Sequence, residues 1–347
     1  MKLYTLKSIL LSAFLLTTLF NVNGQDPHFS QMYTFASQLN PSLVGNYDGS
    51  YRIAAMYRNQ WGSALQRSAY TTIGADVDFS FLEGYLRKSK FAVGVGVLND
   101  RSGTAGLSYL NASLTLAYHQ GFGRDGNHRL SIGLQGGFIQ KRIDNPLFGD
   151  QFVDHNQTPN GSSQENIIRG FYNGDLNAGL YWKSNFNERV KFGLGVGAYH
   201  LLEPKENLVT EAFAVDGNHY RRITADFNLE AFIGAKRKFS VSPEFLYLMQ
   251  GPASEINPGL FFAYYFQTGF RKNNSLHLGT RYRVGDAIIP MLQIEFRNIR
   301  LGASYDINIS KLSQTTRNQG AFEISLSYVG ESIKSFKGSR SLPSRRF

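Results

Sequence analysis

The chain has 347 residues, a formal net charge of +10, 35 Gly, 27 Phe, 19 Tyr and no Cys. Without cysteine there is no disulfide framework, no thiol catalysis and no lipid attachment through a cysteine. A basic chain can bind nucleic acid, but the leader at the start marks this one for export, so nucleic acid is not an expected partner.

Residues 1–24 read as a secretory signal peptide. Lys2 and Lys7 form its basic start, Ile9 to Phe20 its apolar middle, and Val22 and Gly24 its cleavage region, which makes Gln25 the expected mature N-terminus. The apolar part is short for a spanning helix, which needs about 20 apolar residues. Lys2 and Lys7 carry +2 of the +10, leaving +8.

Residues 25–48 lack strong alternation. Gln25–Asn46 is rich in Gln, Asn, Ser and aromatics. It is expected to plug a lumen or to lie across its periplasmic mouth.

From residue 49 to 330 the chain alternates. Phe91, Val93, Val95 and Val97 interleave with Ala92, Gly94 and Gly96; Leu301, Ala303, Tyr305, Ile307 and Ile309 interleave with Gly302, Ser304, Asp306 and Asn308. One greasy face and one small or polar face suit a strand between lipid and a wet lumen. No segment after the leader is long and apolar enough for a membrane helix. A chain of this kind crosses a membrane only as a closed barrel. The two-residue period predicts about 14 strands. In order they are Tyr51–Arg58, Thr71–Phe79, Phe91–Leu98, Leu110–Gln120, Arg129–Ile139, Phe171–Lys183 and Val190–Leu201. Ile223–Gly234, Phe239–Tyr247, Leu260–Phe266, Leu276–Arg283, Ile289–Phe296, Ile299–Ile309 and Ala321–Val329 follow. The fold class is therefore all-β, a transmembrane antiparallel barrel.

An even-stranded outer-membrane barrel has both ends in the periplasm, short periplasmic turns and longer outer loops. The connections Gly121–His128, Ser184–Arg189, Ala235–Lys238, Gln267–Ser275 and Arg297–Asn298 fall at periplasmic positions. The longest, Gln140–Gly170 and Leu202–Arg222, fall outside. Ser80–Lys90 is long for a turn, and Val284–Ile288 is brief for a loop.

The inferred periplasmic edges are basic: Arg87, Lys88, Lys90, Arg124, Arg129, Arg189, Lys191, Lys236, Arg237, Lys238, Arg271, Lys272, Arg297 and Arg300. The 331–347 tail adds Lys334, Lys337, Arg340, Arg345 and Arg346. Such a face attracts anionic surfaces. Lys236, Arg237, Lys238, Arg271, Lys272, Arg345 and Arg346 are the candidate docking residues; solvated turns in contact with lipid head groups are the plainer reading.

The polar strand faces place Arg52, Arg58, Asp76, Asp78, Asp175, Asp226, Glu230, Arg281, Arg283, Glu295, Asp306 and Glu323 in the lumen. Mixed charge predicts ion-pair networks and a narrow or plugged lumen, since selective pores favour one sign.

Chemistry is not legible. The seven His show no metal-ligand spacing such as an i, i+4 pair. His119, His200 and His277 fall on strands, but no third group orients a base, so neither an enzyme nor a cofactor is expected. Asp144, Asp150 and Asp154 lack the ordered ligand run of a calcium loop and read as an acidic solvated loop.

The mature N-terminus is more specific. Gln25-Asp26-Pro27-His28-Phe29-Ser30-Gln31-Met32-Tyr33 precedes Asn40-Pro41-Ser42-Leu43-Val44-Gly45 and Tyr57-Arg58-Asn59-Gln60-Trp61. Asn99-Asp100-Arg101-Ser102-Gly103 and Leu130–Phe138 with Ile143-Asp144 follow. This resembles the PorP/SprF family of type IX secretion outer-membrane proteins of Bacteroidetes. Ser42 and Val44 stand where Ala is usual, Met32 stands where Tyr is common, and the basic tail is a further departure. The resemblance implies a non-enzymatic outer-membrane part of the secretion and gliding machinery. It implies three partners: secreted cargo such as adhesins, periplasmic or peptidoglycan-linked components, and outer-membrane lipid. It also marks Asp26, Pro27, Phe29, Ser30, Gln31, Asn40, Pro41, Gly45, Tyr57, Arg58, Gln60 and Trp61 as family-motif and candidate partner-binding residues. The alternative function is a channel for small or hydrophobic solutes.

Overall fold

The computed structural model describes residues 26–62, 70–86, 88–103, 106–123, 126–144, 170–206, 217–266, 274–311 and 313–331. Its strands are β1 Tyr51–Gln60, β2 Tyr70–Leu86, β3 Ser89–Ser102, β4 Leu107–Phe122, β5 His128–Ile143, β6 Gly170–Asn185, β7 Val190–Tyr199, β8 Lys205–Glu206 and β9 Gly217–Asn218. The remainder are β10 Arg222–Ile233, β11 Phe239–Gln250, β12 Ala253–Tyr265, β13 Asn274–Arg283, β14 Ala287–Phe296, β15 Ile299–Asn308 and β16 Gln319–Gly330. All but β8 and β9 form a closed antiparallel barrel of 14 strands, and those two form a small ribbon of their own. The seam is β1 against β16, in register from Tyr51 opposite Gly330 to Gln60 opposite Ala321. Closure leaves no edge, so every wall strand is paired on both sides.

Alternation sets the two faces. On β3, Phe91, Val95 and Val97 are exposed while Ala92, Gly94 and Gly96 are buried. On β15, Leu301, Tyr305 and Ile307 are exposed while Gly302, Ser304, Asp306 and Asn308 are buried. The apolar outer wall carries aromatic clusters at the end with the short turns. Tyr51 lies 5.9 Å from Tyr328, Phe91 4.8 Å from Tyr118, and Phe239 4.9 Å from Tyr264. Trp61 and Tyr70, 5.2 Å apart, mark the opposite rim. Two aromatic girdles around an apolar band fit a membrane barrel. Among the described residues no helix is long and apolar enough to cross a membrane.

The two misfitting connections have simple explanations. β2 continues to Leu86 and β3 starts at Ser89, with a register shift between Phe81 and Leu86. The expected Ser80–Lys90 link is therefore mostly strand, and its alternation is hidden by the irregularity. The brief Val284–Ile288 link is a tight turn between β13 and β14. Strand prolines also blurred the pattern. Pro243 and Pro290 sit where the β10–β11 and β14–β15 ladders skip. Pro258 lies where β12 extends past its pairing with β13. A residue without an N–H fits only at such places.

The segment from Asp26 to Tyr47 lies inside this wall. It has a 3-10 turn at Met32–Thr34, one α turn at Ala36–Leu39 and a second 3-10 turn at Pro41–Leu43. Phe29, Met32, Phe35, Ala36, Leu39 and Leu43 pack with Met56, Leu98, Tyr109, Ile139, Tyr181, Leu246 and Leu248 of the wall into one apolar cluster. The largest hydrophobic cluster among the described residues is thus the contact between the N-terminal segment and the lumen.

Candidate functional site

The segment runs from the loop end of the barrel to the turn end, and the wall holds it on all sides. At the loop end, the Asp26 carboxylate meets His200 Nε2 at 2.6 Å, His219 Nε2 at 2.8 Å and Arg222 Nη1 at 2.9 Å. Burial alone would raise the Asp26 pKa; the His200 and Arg222 charges outweigh it and hold the carboxyl well below its usual range. The Asp26 N–H donates to Gln250 Oε1 at 2.9 Å. His28 lies 3.3 Å from Glu255. Glu255 favours the charged ring, but burial and the Arg283 and Arg58 charges prevail and lower its proton affinity.

The next motif residues meet β16, β15 and β1. The Ser30 and Gln31 N–H groups donate to the two oxygens of Glu323 at 2.6 and 3.0 Å. Ser30 Oγ donates to Asp306 at 2.8 Å. Gln31 Oε1 accepts from Ser325 Oγ at 2.8 Å. Arg58 completes the cluster: its Nη1 pairs with Glu323 and donates to Ser30 Oγ, and its Nη2 reaches Asp306 at 3.0 Å. Arg283 and Arg281 donate to Ser30 Oγ and Ser30 O at 3.0 and 2.9 Å. The opening motif and the first-strand motif, separate in sequence, are two halves of one latch.

The middle of the segment is a capped turn on glycine. The Asn40 side chain accepts from the Ser42 N–H at 3.0 Å and donates to Leu180 O at 2.9 Å, with Pro41 at the start of the turn. Gly133 of β5 and Gly179 of β6 form its seat. A Cβ on Gly133 would run into the Pro41 carbonyl group and Ser42 N, and one on Gly179 into the Asn40 side chain. Asn40→Ala removes a buried cap and is expected to cost about 1–2 kcal/mol, measured as a lower denaturation midpoint in detergent.

At the turn end, Gly45 has φ +74° and its N–H donates to Asp78 at 2.9 Å. The left-handed backbone and the crowding by Ala92 both require glycine here. Arg52 pairs with Asp76 at 3.0 Å and Asp78 at 3.1 Å and donates to Thr34 O at 3.2 Å. Lys90 Nζ donates to Tyr47 O at 2.8 Å, and His119 Nε2 lies 2.9 Å from Val44 O. Burial pushes the Tyr47 phenol well up. A pocket against Pro27, His28, Phe29, Met32 and Arg222 measures ≈ 10 Å³, about the room one water needs.

All twelve lumen residues read from the sequence are buried, and most join ion pairs. Asp26, Ser30, Gln31, Asn40, Pro41, Gly45 and Arg58 engage partners within the chain, and Pro27 lines the pocket beside them. Phe29 stacks edge-on to Phe35 at 5.9 Å. Tyr57 faces outward and Gln60 accepts from Arg58 at 3.3 Å. Among the basic edge residues, Lys90 and Arg300 turn into the lumen and are buried, and Lys191 lies 3.8 Å from buried Glu230. These three do not belong to the outward basic face, because alternation carries strand ends inward too. Lys236 is exposed, Lys238 half-buried, and Arg237 pairs with Glu188 at 2.5 Å. Arg271, Lys272, Arg345 and Arg346 lie outside the described residues, as do Asp150 and Asp154. Asp144 pairs with Arg142 at 2.9 Å and Arg101 at 3.3 Å.

The strand histidines point inward rather than to the outer wall. His119 and His277 are buried in the lumen, and His200 falls just past β7 with φ +56°. Sequence spacing gave no hint that His200 and His219 converge on Asp26.

Solved barrels resemble this one at low identity. A Pseudomonas aeruginosa FadL homologue has TM-score 0.47 and 10% identity, over 85% of this chain and 94% of its own. The Pseudomonas putida toluene transporter TodX has TM-score 0.48 and 9% identity, over 88% and 95%. BamA from Haemophilus ducreyi has TM-score 0.42 and 11% identity, over 81% and 70%. No curated protein matches the chain. The model of the type IX secretion system membrane protein PorP/SprF matches residues 21–328. With the latch motifs and the closed barrel, this places the protein in the outer membrane: the chain belongs to the PorP/SprF family and is a component of type IX secretion.

Proposed function

We propose that this barrel is an anchor and docking element, through which secreted cargo such as adhesins is exported or attached at the surface, and not a conduit for solutes. The family is one of secretion components, not of enzymes. The observation that carries the proposal is the filled lumen. Residues 26–47 are tied to the wall by buried charge clusters at both ends, and conduction would require breaking them. What remains for partners is the outside. On the periplasmic side exposed Lys236 projects from the turn between β10 and β11, with half-buried Lys238 next to it and Arg189 and Arg237 beside them. This basic turn suits an acidic surface on a periplasmic or peptidoglycan-linked component of the machinery.

Two experiments test the proposal. Affinity purification in mild detergent is expected to recover a stoichiometric periplasmic partner, and reversing Lys236 and Lys238 to Glu to weaken that recovery and its tolerance of salt. Deleting the gene is expected to remove specific proteins from the secreted and surface proteome. Loss of solute uptake with an unchanged surface proteome would instead favour a channel.

A further inference from the structure

We propose that Asp26, His200 and His219 form a binding site for a divalent transition metal, with Zn²⁺ the best fit, that clamps the start of the lumen segment to the outer rim of the barrel. The ligand atoms of these three buried residues all lie within 4.8 Å of one another. They come from three separate places: the start of the lumen segment, the residue after β7, and the approach to β10. The two imidazole rings meet edge to face, with centroids 4.0 Å apart and planes at 83°. Each turns its Nε2 onto the same carboxylate, at 2.6 Å to Oδ2 and 2.8 Å to Oδ1.

Two nitrogens and a carboxylate are the donor set that Zn²⁺ takes, with a fourth tetrahedral position left for water. The second layer fits as well. His200 Nδ1 faces Asp175 Oδ2 at 3.0 Å, the carboxylate support that a metal-bound histidine usually has. His200 is also held in left-handed backbone at φ +56°, a strain that persists where surroundings enforce it. Arg222, 2.9 Å from Asp26 Oδ2, offsets part of the acidic charge. Tetrahedral ligands at ~2.0–2.1 Å stand ~3.3 Å apart, so the two Nε2 atoms, now 2.6 and 2.8 Å from the carboxylate, need to retreat by about 0.5–0.7 Å.

The test uses the full chain purified in detergent, with Zn²⁺ and Co²⁺ as probes. One equivalent of Zn²⁺ per barrel is expected by elemental analysis, removed by chelator and restored by Zn²⁺. Co²⁺ is expected to give the strong visible bands of a tetrahedral site. His219→Ala is expected to lose the metal, while His128→Ala, at the opposite end of the barrel, keeps it. Asp175→Asn is expected to weaken affinity about 10–100-fold. If His219→Ala fails to fold, the wild-type Co²⁺ spectrum decides. A featureless octahedral spectrum, or Zn²⁺ binding unchanged in folded His219→Ala, overturns the proposal. So does a wild-type barrel that takes up no Zn²⁺.

Discussion

Arg58→Ala is expected to destabilise the folded barrel by about 3–5 kcal/mol, the cost of leaving a buried charge without its partner. Glu323 is fully buried and pairs with Arg58. Asp306 keeps Arg283 at 3.2 Å when Arg58 is lost, so the cost falls on Glu323. Its closest remaining donors are the Ser30 and Gln31 N–H groups of the lumen segment, with Ser304 Oγ of β15 farther off at 3.4 Å. The substitution should therefore loosen that segment before the wall. Arg58→Lys keeps a charge but cannot bridge Glu323, Asp306 and Ser30 at once, so it should recover only part of the loss. Tyr57→Phe, next in sequence but on the lipid side, should be nearly neutral. Denaturant unfolding in detergent separates the three. A shift for Arg58→Ala no larger than that for Tyr57→Phe would sink the latch.

Gly133→Val is expected to unseat the Pro41–Leu43 turn. Overpacking against movable side chains costs about 1–3 kcal/mol, but the obstruction at Gly133 is the Pro41 and Ser42 backbone, which can yield only by moving the whole turn. Asn40 would then lose its bond to Leu180 O, and Leu39 its contact with Thr224 Oγ1, now 2.7 Å. The outer wall is untouched, so the barrel should still form and run as a heat-modifiable band. Limited proteolysis reads the outcome. Cleavage within 26–47 should be slow in the wild type and fast in Gly133→Val. Equal protection would mean the turn has another seat.

The barrel itself was legible in the sequence because a two-residue period survives any register. Each predicted strand has its counterpart in the wall. Strand limits were lost where bulges or prolines interrupt alternation, as in β2 and β12. The lumen charges were also readable, from Arg52 to Glu323, because polar residues on those faces have nowhere else to point. The role of the opening motif was not. Ser30 and its partner Glu323 stand 293 positions apart, and nothing local shows that a serine N–H will meet that carboxylate. The same holds for Asp26 with His200 and His219. Glycines such as Gly133 read only as strand glycines, since the backbone that needs their space comes from another part of the chain.

Planar-bilayer recording on the intact protein and on a variant lacking residues 26–47 decides whether the lumen is plugged. The intact barrel is expected to be silent or to open only fleetingly, and the shortened one to give a large, stable conductance. A steady, wide conductance from the intact chain would contradict a plugged lumen.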